Sequence, residues 1–422
     1  MMVAGEASGD KHGAALALAL KRLLPGRALD LFGSGGEEMR AAGVEHVVDA
    51  RELAIIGIPE IIGALPRFYK AYRKLVSAAA KRSPDAVVLI DWPDFNLRLA
   101  RRLSRDGFRI VYYISPQVWA WRKYRVRAIR RSVELMLVIW PFEENFYRQE
   151  GIAAEYVGHP LSGAVRVTST LQEFAELHAL DPNRPIIALL PGSREKELHY
   201  HLPIMAAAAL RLRKSSVDWA RLYRGASDGR SGNAPTPGCI RPQRTAQDHE
   251  GASELRYVEP QFVMPLASTV DLSQVQIRLG QAADGIRIIE RDTYNALGHA
   301  VAAVIASGTA TVEAALLGTP MVIVYRGSEL NWRLIRPLIK LDTFGMANLI
   351  AGHRIVPELI QHEATAERIV SELVSILSDK SKYARIRNDL AIVSERLRFG
   401  GALPPELAAQ RVIDIALSQA HQ

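Results

Sequence analysis

One cysteine, Cys239, stands in 422 residues. It has no partner for an intrachain disulfide, so a reducing compartment is the simpler expectation. No run reaches the roughly 18 consecutive apolar residues that a membrane-spanning helix needs. The opening residues also lack the basic, apolar and small-residue zones of a secretory signal. A composition of 48% apolar and 23% charged residues excludes the disordered, collagen-like and disulfide-scaffold classes. What the chain does have is length: 422 residues exceed one ordinary core and suit two domains of about 150–200 residues each.

Acidic charge is scarce in one region. The chain holds 53 Lys and Arg against 45 Asp and Glu, a net +8. Residues 61–131 contain 17 of the bases and only 4 of the acids, a local +13, so the remainder sums to −5. The net balance fits nucleic acid, an anionic membrane or merely a soluble basic protein, and a patch of this kind needs a partner or a reason.

Short β-branched runs alternate with stretches of helical period. Strands are expected at Ala86–Ile90, Arg109–Ile114, Leu135–Trp140, Ile186–Leu190, Ile286–Ile289, Ala303–Ala306 and Met321–Tyr325. Helices are expected at Lys11–Leu24, Ile204–Lys214, Thr311–Leu317, Thr365–Leu377 and Lys382–Leu397. Continuous apolarity in the strands implies parallel sheets covered on both faces, an α/β class with doubly wound domains. The polar stretch ending in Asp181-Pro182-Asn183-Arg184-Pro185 marks a boundary within residues 160–185. The expected division is a first domain over 1–165, a second over 185–365 and C-terminal helices over 366–422 that pack across domains or subunits. The opening Met1-Met2-Val3-Ala4 leaves only a few residues for a first strand. Residues 215–260 lose periodicity, with 5 Gly, 4 Pro and six charges of each sign, and read as an insert: a disordered stretch, a misread one or a functional lid.

Several turns carry candidate chemistry. In Ala4-Gly5-Glu6-Ala7-Ser8-Gly9-Asp10, two glycines and a serine ahead of a helix suit an anion or a closely approaching ligand. The spacing matches neither the dinucleotide fingerprint nor a Walker loop, and a tight turn capped by Ser8 or Asp10 is the plainer reading. Asp91 ends the strand Ala86–Ile90, at the edge where open α/β sheets bind ligands, with Asp94 three residues on. A carboxylate there suits a general base, whereas two turn carboxylates without a third ligand make a poor metal site. The stretches Pro191-Gly192-Ser193-Arg194 and Ser307-Gly308-Thr309-Ala310-Thr311-Val312-Glu313 each follow a strand of the second domain. Phosphate on such turns and ribose on Glu313 would be a sugar-nucleotide arrangement.

Two further segments face outward chemistry. Trp119 and Trp121 stand beside Arg122, Lys123, Arg125, Arg127, Arg130 and Arg131, a composition suited to RNA stacking or to a membrane headgroup zone. The apolar run Leu53–Leu65, with Ile58, Ile61 and Ile62, is too short to span a bilayer. Flanked by aromatics and bases, it has the pattern of a segment lying in one leaflet, or of ordinary core. His12, His159, His299 and His353 lack ligand spacing, so zinc is not expected.

These blocks together resemble a known family. VAGEASGD at 3–10, ELAIIGIPEII at 52–62, IDWPDFN at 90–96, YISPQVWAWR at 113–122, PFEENFY at 141–147 and YVGHPL at 156–161 are similar to lipid-A-disaccharide synthases. LLPGSRE at 189–195, ASGTATVEAAL at 306–316 and ANLIAG at 347–352 continue the match in family order. The resemblance implies the GT-B architecture, two Rossmann-like domains facing across a cleft. It also implies inverting, metal-independent transfer from UDP-2,3-diacylglucosamine to 2,3-diacylglucosamine 1-phosphate (lipid X), with no cofactor. By that analogy Asp91 is the base, Glu6 and Ser8 line the cleft, and Arg194 neutralises the leaving diphosphate. Gly192, Ser193, Ser307, Gly308, Thr309, Glu313 and Asn348 contact the donor. Ile58, Ile61, Ile62, Trp119, Trp121, Arg122 and Arg125 face the acceptor and an anionic membrane surface. The protein is then expected in the cytoplasm of a Gram-negative bacterium, peripheral on the inner face of the cytoplasmic membrane, without nucleic acid, and a homodimer stays open. The alternatives are another GT-B transferase or epimerase acting on UDP-GlcNAc, or a basic RNA-binding protein.

Overall fold

The β-branched runs pair in parallel into two separate sheets in the computed structural model. It describes residues 1–50, 58–119, 125–214, 259–267, 270–329, 332–333, 336, 343–398 and 403–418. The chain divides into one unit of Met1–Pro160 with Leu397–Gln422 and a second of Leu161–Arg396.

The first unit alternates strand and helix: β1 (Met2–Val3), α1 (Ala7–Leu23), β2 (Phe32–Gly35), α2 (Glu37–Ala41), β3 (Glu45–Asp49), α3 (Ile58–Arg82), β4 (Val87–Ile90) and α4 (Pro93–Arg105). It continues with β5 (Ile110–Tyr113), α5 (Val126–Ser132), β6 (Leu135–Val138), α6 (Pro141–Gln149) and β7 (Ala154–Tyr156). The sheet order is β3-β2-β1-β4-β5-β6-β7. Strand order reverses between β1 and β4, where Val3 pairs with Leu89. That reversal opens a crevice beyond the carboxyl ends, the usual ligand site of such sheets. The Gly5 turn and Asp91 both leave the sheet there. On one face of the sheet Phe32, Leu75, Leu89, Leu99, Tyr112 and Met136 form a buried core.

The second unit contains α7 (Leu171–Leu177), β8 (Ile186–Leu190), α8 (Glu195–Lys214), β9 (Gln261–Leu266), α9 (Leu272–Leu279), β10 (Ile286–Glu290), α10 (Thr293–His299) and β11 (Ala302–Ala306). After these come α11 (Ala310–Leu316), β12 (Met321–Tyr325), α12 (Met346–Ala351), β13 (Glu358–Ile360), α13 (Ala366–Ser378) and α14 (Lys380–Leu397). Its order, β10-β9-β8-β11-β12-β13, reverses between β8 and β11, where Leu190 pairs with Ile305. The Gly192 and Gly308 turns leave the sheet side by side at that point. The last helix, α15 (Pro404–Leu417), returns to the first unit and packs on α1.

Each strand expected from the sequence is present, with ends shifted by at most two residues; the run toward Trp140, for instance, stops at Val138. Helix α1 starts earlier than its apolar period suggests, at Ala7. Ser8 and Asp10 therefore lie inside its first turn, and neither is its N-cap; that position belongs to Glu6. Asp10 instead crosses to α2, accepting hydrogen bonds from the N–H groups of Gly36 (2.7 Å), Glu38 (3.0 Å) and Met39 (3.1 Å). Of the aperiodic stretch 215–260, residues 215–258 lie outside the described residues.

Candidate active site

Asp91 and Trp92 follow β4 with φ angles of 47° and 51°, two successive non-glycine residues in the left-handed region. Each such residue costs about 1–3 kcal/mol and persists only where its surroundings hold it. Here the restraints are identifiable. The Asn96 amide donates to the carbonyls of Asp91 (2.8 Å) and Ile90 (3.2 Å). The buried Tyr112 hydroxyl donates to the same Asp91 carbonyl at 2.6 Å, and the Asp91 N–H pairs with the Tyr113 carbonyl. With its backbone pinned, the Asp91 carboxyl is largely removed from water. Burial first, then the nearby charge of Glu6, push its pKa up to about 6, against a lowering hydrogen bond from the Trp92 N–H. A carboxyl poised there is ionised at neutral pH yet basic enough to take a proton from a hydroxyl.

Glu6, on the β1–α1 turn, and Ser8, in the first turn of α1, are exposed, and Glu6 is close enough to Asp91 to act on it electrostatically. The structure thus gathers three of the sequence candidates at one switch point. His12, one turn further along α1, is held neutral by burial, its pKa lowered to about 4. The His159 ring packs tilted against Trp140 with centroids 4.3 Å apart, and burial lowers its pKa to about 3.

The outward-facing candidates divide. Arg125 is only 8% exposed and pairs with Asp94, so it points inward and is corrected from a membrane-facing residue to a brace on the first turn of α4. Trp119 is half-buried, with its ring against Phe142 and its indole N–H on Glu143 at 3.0 Å. Trp121 and Arg122 lie outside the described residues, as do the side chains of Ile58, Ile61 and Ile62 on α3. Glu143 itself was missed by the sequence reading. It is fully buried, bonded by Trp119 and Ser115, and desolvation raises its pKa to about 8. Its signal was the Pro141-x-Glu143 start of α6, a glutamate three residues after the N-cap whose carboxyl accepts from the Trp140 N–H at 3.4 Å.

In the second unit, Gly192 takes φ 120°, a conformation that disfavours any side chain. The N–H groups of Ser193 (2.8 Å) and Arg194 (3.3 Å) both donate to Glu197, which also pairs with the Arg194 guanidinium at 3.1 Å. The N–H groups expected to meet an anion are occupied by the chain's own carboxylate. His201 links this loop to the end of β12: its Nδ1 meets the Pro191 carbonyl at 2.9 Å and its Nε2 accepts from the Arg326 N–H at 2.9 Å.

The second turn of this unit is open. Gly308 and Thr309 are exposed, the Ser307 hydroxyl donates to the Phe344 carbonyl at 3.4 Å, and burial raises the pKa of Glu313 on α11. Asn348 differs from the rest. Its side chain donates to the Val356 carbonyl and Glu358 and accepts from the N–H groups of Ile355 and Val356. Every hydrogen-bonding position of its buried amide is spent inside the fold, so the expected direct donor contact is replaced by a framework role. Among the described residues no group of three or more His, Cys, Asp or Glu is placed to hold a metal ion.

Two Rossmann-type units in one chain, each a parallel sheet with a switch point, define the GT-B class. UDP-GlcNAc 2-epimerase from Neisseria meningitidis shares this fold with a TM-score of 0.56 at 11% identity, over 99% of this chain and 98% of that one. The calicheamicin glycosyltransferase gives a TM-score of 0.54 at 14% identity, over 100% and 97%. Sequence comparison is more specific. The family model for lipid-A-disaccharide synthetase matches residues 1–233 and 254–412. The lipid-A-disaccharide synthase of Koribacter versatilis is 40% identical over 419 residues, 99% of this chain and 98% of that protein. The one from Geobacter sulfurreducens is 37% identical over 417 residues, 99% and 96%. This chain belongs to the lipid-A-disaccharide synthase family, glycosyltransferases that form the lipid A disaccharide. The family match also narrows the aperiodic insert, since only residues 234–253 within it are unmatched.

Proposed function

We propose that the chain transfers 2,3-diacylglucosamine from UDP-2,3-diacylglucosamine to the primary hydroxyl of 2,3-diacylglucosamine 1-phosphate. Asp91 takes the hydroxyl proton as the oxygen attacks the donor's anomeric carbon from the face opposite the diphosphate. The carbon–oxygen bond to the diphosphate breaks with its electron pair, UDP leaves, and a single displacement inverts the centre. Arg194, Gly192, Ser193 and the Ser307-Gly308-Thr309 turn receive the diphosphate, Arg194 supplying the positive charge that the leaving group needs. Glu313 accepts hydrogen bonds from ribose. Glu197 must release the Ser193 and Arg194 N–H groups when the diphosphate arrives, which exchanges one anion for another at the same donors.

The observation that carries this reading is the Asp91–Trp92 turn, a strained carboxylate with a pKa raised to about 6 at the switch point of the first sheet. The exposed bases Arg67, Lys70, Arg73 and Lys74 on α3 support docking on an anionic leaflet, where both lipid substrates reside. A cytoplasmic, membrane-peripheral location follows from that docking. The test is a disaccharide-formation assay on the wild type and Asp91→Asn. Loss of a base of this kind lowers kcat by about 10²–10⁴-fold, and full activity in the variant would remove Asp91 from the role.

A further inference from the structure

We infer that Trp92 is a positioning residue for Asp91: its indole, held against Gly5 and Phe95, fixes the direction of the Asp91 carboxyl and keeps water from it. The inference rests on the reading of Asp91 as the base.

The backbone does not explain a tryptophan at this position. Trp92 sits at φ 51° and ψ 58°, which glycine or asparagine adopts at lower cost. As the residue ahead of α4 it makes no side-chain cap bond. Restraint of the turn comes from Asn96 and Tyr112, which act on the Asp91 and Ile90 carbonyls and not on the indole. The ring must therefore serve something other than the turn.

Its contacts show what. The indole stacks on Phe95 with centroids 4.1 Å apart and planes 13° apart, and lies 6.0 Å from the Phe68 ring. It also covers Gly5 so closely that a Cβ there would fall 2.1 Å from Cδ2 and 2.2 Å from Cε3 of Trp92. One rigid side chain thus joins the residue after Asp91 to the residue before Glu6, and sets the separation between the two turns that carry them. Only glycine at position 5 permits this approach. The charge that acts on Asp91 is Glu6 from the β1–α1 turn; Tyr112 from β5 lies against it, and the Asp94–Arg125 pair, from the start of α4 and the approach to α5, and Tyr147 from α6 act on Tyr112 in turn.

Three variants test this in the full-length chain: Trp92→Gly removes the ring and relaxes the turn, Trp92→Phe shortens it, and Gly5→Ala forces it aside. For Trp92→Gly and Gly5→Ala, kcat should fall about 10–100-fold. KM for both substrates should stay within about threefold, since a lost positioning contact acts on the transition state. The acid limb of kcat/KM should move down by about one pH unit as Asp91 is rehydrated. Trp92→Phe should fall between these and the wild type. In an Asp91→Asn background, Trp92→Gly should cause no further loss of kcat. A wild-type kcat and acid limb in Trp92→Gly, or the same fold-loss repeated in the Asp91→Asn background, would overturn the inference. Should Trp92→Gly not fold by circular dichroism, Gly5→Ala decides on the same readouts. Full activity in Asp91→Asn alone would instead remove the base reading, and the two failures are told apart.

Discussion

At the scale of residues, the first unit concentrates its chemistry in one carboxyl group whose proton affinity has two separable sources. Burial is the larger and the charge of Glu6 the smaller, and both raise the pKa of Asp91, to about 6. A base must be ionised, so activity should rise with pH through about 6 and then level. Replacing Glu6 with Gln removes a like charge and makes Asp91 easier to ionise. Its acid limb should therefore shift to lower pH by a fraction of a unit, in the same direction as loss of the indole cover. Because Glu6 is exposed, its effect should shrink with added salt, whereas the burial contribution should not. A pH–rate series at two ionic strengths, on wild type and Glu6→Gln, checks both statements. An acid limb that does not move in Glu6→Gln at low salt would remove Glu6 from the site. Asn348 shows the opposite case: a residue type suited to ligand contact whose amide is wholly absorbed by the Ile355 and Val356 backbone and the Glu358 carboxyl.

At the scale of elements, short parallel strands place the turns and long-range caps hold them. Asp10 is the clearest such cap, since three N–H groups at the start of α2 converge on its buried carboxylate. Asp10→Ala leaves those donors without their acceptor, at a cost of about 1–3 kcal/mol. With roughly 2–4 °C per kcal/mol for a unit of this size, thermal unfolding should show a midpoint several degrees lower. An unchanged midpoint would mean that water replaces the cap without loss. This contact was not legible in the sequence, where Asp10 reads as a cap for its own helix. Local patterns identify local caps, whereas Asp10 acts on residues 26–29 positions away. The strands divide in the same way. Val87–Ile90, Ile186–Leu190 and Met321–Tyr325 announce themselves as unbroken apolar runs. Phe32–Gly35 carries two glycines, Glu45–Asp49 is edge-exposed and half polar, and Ala154–Tyr156 has three residues, so pairing alone defines them. The Gly5, Asp91, Arg194 and Gly308 turns were legible because each follows a strand, whereas Asn96, Glu143, Glu197 and His201 act across the fold.

At the scale of the whole molecule, the separation of charge gives the sequence arithmetic a location. Exposed bases recur along α3 at Arg67, Lys70, Arg73 and Lys74, and along α4 at Arg98, Arg101, Arg102 and Arg105. Spacings of three and four residues put each set on one side of its helix. Tyr69, 63% exposed, stands among the first set. No described helix is long and apolar enough to cross a membrane. Each base near an anionic leaflet contributes about 1 kcal/mol, and removing three corresponds to about a 100-fold loss of binding. Arg67→Glu, Lys70→Glu and Lys74→Glu together reverse the charge of the α3 face without touching the Asp91 turn. In vesicle sedimentation the wild type should bind phosphatidylglycerol-containing vesicles more tightly than neutral ones and release them as salt rises, because the attraction is screened beyond about 10 Å at 0.1 M. The triple variant should lose that preference while keeping its turnover of substrates dispersed in neutral detergent. Equal binding of the wild type to neutral and anionic vesicles, indifferent to salt, would mean that the basic helices serve another partner.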